Sequence, residues 1–154
     1  MLIEKRDQRL IRAIHRYQQY RDARGLWGRL CCAWGKLGHE IWSLLSGSDI
    51  NREADLATDL RMPHPTGIVM HRNARVGANC LIMQHVTLGE IEGGKAPVIE
   101  DGVYIGAGAR ILGGVTIGKG ARIGANAVVL QDVPADATAV GVPARIMPPK
   151  KTPE

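Results

Sequence analysis

Aliphatic residues recur at every sixth position through the second half of the chain. Ile99, Ile105, Ile111, Ile117, Ile123 and Val129 stand in strict register. Val76, Ile82 and Leu88 form an earlier run in phase, and Ile50, Leu56 and Met62 a looser one. Glycine often follows directly (Gly77, Gly89, Gly106, Gly118, Gly124), and a small or β-branched residue falls four positions on (Cys80, Val86, Val103, Ala109, Val115, Ala121, Ala127). A period of six fits neither strand alternation nor a helical face. It predicts a parallel β-helix, in which each repeat makes one flat side of a triangular column and three repeats make a coil. The aliphatic points inward and stacks on its equivalent in the next coil, the small residue fills the corner, and the glycine is expected to let the backbone turn. The span from Ile50 to Val129 holds four to five such coils.

The register breaks between Leu88 and Ile99, which are eleven residues apart. The excess, Gly89 to Pro97, is expected to leave the coil as a loop, and loops that interrupt a regular scaffold commonly carry function. After Val129 the period fails, and Val133-Pro134 and then Gly141-Val142-Pro143-Ala144-Arg145 are expected to end the column.

The first third reads differently. Leu10, Ile11, Ile14, Tyr17 and Gln18 recur at helical spacing, Gly25 is a stop, and a second helix is predicted from about Leu26 to Leu45 with Leu30, Trp34, Leu37, Ile41 and Leu45 on one face. The best boundary lies near Ser46-Gly47-Ser48, dividing a helical segment (1–46) from a β-helix (47–148) and a short tail (149–154). Charge follows the same boundary: residues 1–46 hold nine Lys/Arg against four Asp/Glu, whereas 47–154 hold eleven of each. All three tryptophans also lie before it. Such a helical pair packs its apolar stripe on the rest of the protein and solvates its arginines, the reading favoured here, or lies on an anionic membrane surface, or touches an acidic polymer. No recognition motif accompanies the charge, so no nucleic-acid partner is expected.

Composition narrows the field further. Phe is absent, aromatics are 4% and Gly is 19 of 154, so the core is not built on large rings. Three cysteines do not make a disulfide framework, and neither CxxC nor HExxH occurs, so no structural metal is expected. The absence of an apolar signal core in MLIEKRDQRLIR points to a cytoplasmic protein, with a position peripheral to the inner membrane as the alternative.

The hexapeptide coils, the Gly-Val-Pro-Ala-Arg exit, and Ile105-Gly106-Ala107-Gly108-Ala109 with Ile123-Gly124-Ala125-Asn126-Ala127 resemble the hexapeptide acyltransferases, whose fold is a left-handed β-helix. Within them, Asp49-Ile50, the run Pro63-His64-Pro65-Thr66-Gly67-Ile68-Val69, and Val86-Thr87-Leu88-Gly89 before the loop are similar to the catalytic segment of serine acetyltransferase. The similarity covers roughly residues 47–148. It implies transfer of an acetyl group from acetyl-CoA to a hydroxyl, at sites between the subunits of a homotrimer. It assigns His64 as general base and Asp49 as the carboxylate that orients it, with Asp59 a weaker substitute. An alcohol is a poor nucleophile at neutral pH, and a histidine is a suitable base for it. His85, followed by Val-Thr-Leu-Gly, resembles the coil histidine of sugar acetyltransferases of this fold; it is either the base or part of the acceptor pocket. Carried over by position, the coenzyme A contacts fall on Ala107, Ala125 and Leu130, and its adenine and phosphate end on Pro143, Ala144 and Arg145. Lys150 and Lys151 read as a basic tail.

Two features depart from serine acetyltransferase. Where that family's loop carries Arg-His-Pro, this chain has Lys95-Ala96-Pro97, leaving a point charge in place of a planar bidentate donor. The helical segment is also much shorter, which favours a trimer over a hexamer. The expectation is therefore an O-acetyltransferase acting on a sugar or polysaccharide-precursor hydroxyl. L-serine as acceptor and a non-catalytic β-helix binding module are the alternatives. His64, His71 and His85 are not spaced as shared metal ligands on such a coil, so no metal is expected.

Overall fold

The structure is a computed structural model that describes residues 5–91, 93 and 95–149. Two helices, α1 (Arg6–Tyr20) and α2 (Leu26–Ser46), precede fourteen short strands. The strands are β1 (Asp49–Ile50), β2 (Asp55–Leu56), β3 (Val69–Met70), β4 (Arg75–Val76), β5 (Leu81–Ile82), β6 (Thr87–Gly89) and β7 (Val98–Ile99), then β8 (Tyr104–Ile105), β9 (Arg110–Leu112), β10 (Thr116–Ile117), β11 (Arg122–Ile123), β12 (Val128–Val129), β13 (Thr138–Val140) and β14 (Arg145–Met147). They stack into three parallel faces. The first face is β1-β3-β6-β9-β12, the second β2-β4-β7-β10 and the third β5-β8-β11-β13, with β14 added antiparallel at its end. Every third strand pairs with the next coil's equivalent, as Ile105 does with Ile123, so the column is the β-helix that the six-residue period predicts.

The ladder forms the core. Ile50, Leu56, Met62, Val76, Ile82, Leu88, Ile99, Ile105, Ile111, Ile117, Ile123 and Val129 are all buried, and the small residues four positions on close the corners. Each fully buried aliphatic contributes about 1.5–3 kcal/mol of transfer free energy. Two-residue strands are too short to stand alone, so the repeat folds only by burying each coil on its neighbours.

Three details differ from the sequence reading. The glycine after the aliphatic is not the residue that turns. Left-handed backbone falls three positions after the aliphatic instead, at Asn79, His85, Gly102, Gly108, Gly120, Asn126 and Asp136. The following glycine is required by proximity: a Cβ at Gly106 would lie 2.6 Å from the Ala125 backbone nitrogen. Second, Met62 and Met70 are eight residues apart, and Pro63 to Gly67 form a widened corner that the periodicity did not show; Ile68 and Met70 are core. Third, the column does not stop where the period fails. Val133 bridges Ile117, and Val133, Ala137 and Ala139 are buried, so a fifth coil follows, shortened by two residues on its second face. Only then does the chain reverse into β14.

Helix α1 plugs the open end of the first coil. Leu10, Ile11 and Ile14 join the same hydrophobic cluster as the ladder. His15 and Gln18 satisfy the carbonyls of Leu56, Arg52 and Ala54 that would otherwise face no further coil. Gly47, in left-handed backbone, ends α2 and donates its N–H to the Leu44 carbonyl, then turns the chain into β1. The stripe of α1 is thus packed, as expected, whereas that of α2 is not.

The cap is pinned at one edge by an acid-sensitive link. The Tyr17 hydroxyl donates to Glu53 at 2.6 Å and Arg21 pairs with the same carboxylate at 2.8 Å. The Tyr17 hydrogen bond, with Arg21 beside it, holds the Glu53 carboxyl below its usual range, and the same bond pushes the Tyr17 phenol up. A depressed carboxylate stabilises the fold above its unfolded value of about 4.3, and that contribution is lost as pH falls through the lower folded value. Thermal melts should therefore show Glu53→Gln less stable than the parent at pH 7 and equal to it at a pH well below 4; an unchanged gap across that range would refute the link.

Candidate active site

The three edges of the column differ in chemistry. One edge, where the third face turns into the first, carries most of the residues singled out from sequence. In coil order it holds the Pro63–Gly67 corner with His64, then His85, Ala107, Ala125, and Pro143-Ala144. These corners are stitched directly together. His85 N–H donates to the Thr66 carbonyl (3.0 Å), Gly108 N–H to Gln84 (2.9 Å) and Asn126 N–H to Ala107 (2.8 Å), while Ala144 N–H donates to Val128 (2.8 Å). Four steps of one coil separate His64 from the Pro143 corner, roughly 19 Å at about 4.8 Å per step. An extended pantetheine arm has that reach.

His64 is exposed between two prolines, the second of them buried, so its backbone is anchored while the ring is free to meet a ligand. His85 sits next along the edge, in left-handed backbone, which is rare outside glycine and asparagine. Its ring lies over Gly67, where an added Cβ would collide with Nδ1. The His85 ring thus packs against the Gly67 end of the His64 corner. Gln84, a position that the repeat reading does not single out, lies beside it with a buried amide oxygen that has no hydrogen-bond partner among the described residues. Nothing in the repeat pattern marks that orphaned acceptor.

Asp49 opens β1, and its N–H donates to Ile68 just past the His64 corner (2.8 Å). Its exposed side chain lines a groove of about 540 Å³ on the first face with Val69, His71, Glu90 and Ile91. Among the described residues no hydrogen bond or ion pair joins Asp49 to His64, so the structure brings the two segments together without closing the dyad. His71 pairs with Glu90 at 3.0 Å in that groove. Asp59 is elsewhere: it accepts the Asn79 N–H at 3.0 Å on another edge, a corner cap rather than a partner for His64.

Lys95 and Leu130 belong to the edge where the first face turns into the second. The loop leaves the coil there, as expected, and folds back through an Ile91–Lys95 bridge, with the Lys95 stem over Gly114. Leu130 is half exposed two coils further on. The whole first face therefore separates Lys95 and Leu130 from His64, Ala107 and Ala125 in a single chain. Arg145 is exposed in β14 beside buried Ala144, while Lys150 and Lys151 lie outside the described residues. Cys80 is fully buried, and burial pushes its thiol up, away from the reactive thiolate. Among the described residues no group of three His, Cys, Asp or Glu side chains is placed to hold a metal ion.

Comparison with known proteins agrees with this architecture. Residues 96–131 match the family model described as bacterial transferase hexapeptide (six repeats). The chain is 40% identical over 140 residues to serine acetyltransferase of Salmonella typhimurium, covering 89% of this chain and 51% of that protein. It is 37% identical to the mitochondrial serine acetyltransferase 3 of Arabidopsis thaliana, covering all of this chain and 42% of that one. Among solved structures, Neisseria gonorrhoeae serine acetyltransferase in complex with serine superposes with a TM-score of 0.73 at 40% identity, over 88% of this chain and 54% of that one. The chain thus spans about half the length of the relatives it matches. By its repeat and by its fold, it is a hexapeptide-repeat β-helix protein, similar along most of its own length to the serine acetyltransferases.

Proposed function

We propose that this chain transfers the acetyl group of acetyl-CoA to the hydroxyl of L-serine. The observation that carries the reading is the single edge on which His64, Ala107, Ala125 and the Pro143-Ala144-Arg145 exit succeed one another. A thioester held at the His64 end leaves its pantetheine arm along the small corner residues and its phosphates near Arg145. The neutral imidazole of His64 takes the hydroxyl proton as the oxygen attacks the thioester carbon. The oxyanion collapses, the C–S bond breaks, and the imidazolium returns its proton to the departing thiolate. Asp49 orients the ring and stabilises its cationic form once the dyad closes. No covalent acyl-enzyme forms, so the cysteines have no part in it. A solved serine acetyltransferase in complex with CoA, 38% identical with a TM-score of 0.71, supports the donor.

The sugar acceptor expected from sequence finds no support among these relatives, all of which carry the name serine acetyltransferase. Lys95 is the remaining cation on the loop for a carboxylate. Because Lys95 and His64 occupy different edges, a complete site needs the loop of one protomer beside the His64 edge of another, which supports a homotrimer with shared sites. The test follows thiol release from acetyl-CoA with L-serine, nucleotide sugars and oligosaccharides as acceptors. Serine turnover is the expected result, and Lys95→Ala should raise the serine KM about tenfold with kcat little changed, since a charged hydrogen bond is lost. Turnover of sugars in preference to serine would overturn the acceptor and return the enzyme to glycan chemistry.

A further inference from the structure

Helix α2 has two unlike sides. Its small residues face α1: a Cβ at Gly35 would lie 2.7 Å from the Tyr17 backbone nitrogen, and one at Gly38 would lie 3.3 Å from the Ala13 Cβ. Its large residues face away. Trp27, Leu30, Trp34, Leu37, Ile41 and Leu45 form a stripe down the helix, each between 44% and 76% exposed. A contiguous apolar stripe of this length on a soluble surface marks an interaction site.

The flanks say what kind. On one side Arg9, Arg12 and Arg16 of α1 line a groove of about 320 Å³ with Trp34 and Trp42. Arg29 and Lys36 lie further round α2, in a second groove with Cys32, Ala33 and, from the end of α1, Tyr20 and Arg21. Among the described residues none of Arg9, Arg12, Arg16, Arg29 and Lys36 is in an ion pair, while the nearby acids are engaged: Asp7 accepts the Met62 N–H, Asp22 pairs with Arg21, and Glu40 pairs with Arg52. The surface is therefore apolar along its ridge and cationic along the margin shared with α1. No described helix is long and apolar enough to cross a membrane. A helix with this distribution lies in the interfacial plane instead, its apolar ridge at the acyl boundary, tryptophans at the headgroup level and arginines on phosphates.

We propose that α2, flanked by the arginines of α1, docks this protein on an anionic phospholipid surface. This goes beyond the acetyl-transfer reading and does not depend on the acceptor. The test is flotation of the full chain with phosphatidylcholine vesicles, with and without phosphatidylglycerol, alongside light scattering of the free protein. Expected are co-flotation with the anionic vesicles, weak association with phosphatidylcholine alone, and release in high salt. Arg12→Ala and Arg16→Ala should each lower partition about fivefold. Trp27→Ser with Trp34→Ser should abolish it, with acetyl-CoA turnover in vesicle-free buffer unchanged. No flotation at low salt, or equal binding to both vesicle types, overturns the proposal. So does a particle mass that is halved by Trp34→Ser with Leu37→Ser in a protein that ignores vesicles, which would assign the face to a second copy.

Discussion

His64→Ala should lower kcat for acetyl transfer by about 10²–10⁴-fold, the usual worth of a general base, with little change in stability or assembly. The stability half of that expectation comes from the ring's surroundings. The side chain is exposed and makes no hydrogen bond within the described residues, so its removal leaves no cavity and no orphaned group. The activity half comes from the nucleophile: without a base, an alcohol of ordinary pKa must attack as the neutral species. The measurement is thiol release under saturating acetyl-CoA, with coenzyme A binding followed by calorimetry on the same sample. Retained binding with lost turnover is the expected pair. His85→Asn is the companion variant, because asparagine tolerates the left-handed backbone that His85 adopts. It should perturb KM through the Gly67 contact and leave most of kcat. Full activity in His64→Ala with loss in His85→Asn would exchange the two roles.

How far this could be read from the chain depends on which interaction writes itself into the sequence. The ladder is legible because each of Ile99 to Val129 must meet an equivalent residue one coil away, so the spacing itself records the contact. The Pro63–Gly67 corner was less so: two added residues shift Met70 out of phase with Met62, and the shift hid a core position beside the proposed base. The column's continuation past Val129 is hidden for the converse reason, since losing two residues between Ile117 and Val133 looks like an end rather than a shortened face. The stripe of α2 has the periodicity of a packed helix and is exposed, because period reports one-sidedness and not what covers the side. The site reads only in part for a related reason. His64 and Asp49 are placed by one chain, but Lys95 stands on another edge, and the partner that would bring it near is encoded by no local pattern.

The glycines that follow the ladder allow the second large effect to be set out in full. Gly118→Ala should cost about 3 kcal/mol, the upper end for overpacking, because the atoms it meets are backbone. A Cβ there would lie 2.5 Å from the Ala135 nitrogen and 2.8 Å from the Pro134 carbonyl carbon, while Gly118 N–H is itself bonded to the Val133 carbonyl at 2.8 Å. Neither strand can retreat without breaking the hydrogen bonds that set the spacing between coils, so the strain has no flexible side chain to absorb it. For a chain of this size that corresponds to a fall of roughly 6–12 °C in melting temperature. Gly25→Ala is the control, with nothing within 4 Å of the added atom, and should melt with the parent. The contrast separates two accounts of the same motif. If backbone conformation alone decided the residue, alanine would be tolerated, because Gly118 has no left-handed backbone to lose. If it is kept because the next coil passes within contact distance, one methyl group is enough to pry the fourth and fifth coils apart, and the Ala125 to Arg145 end of the proposed coenzyme groove loosens with them.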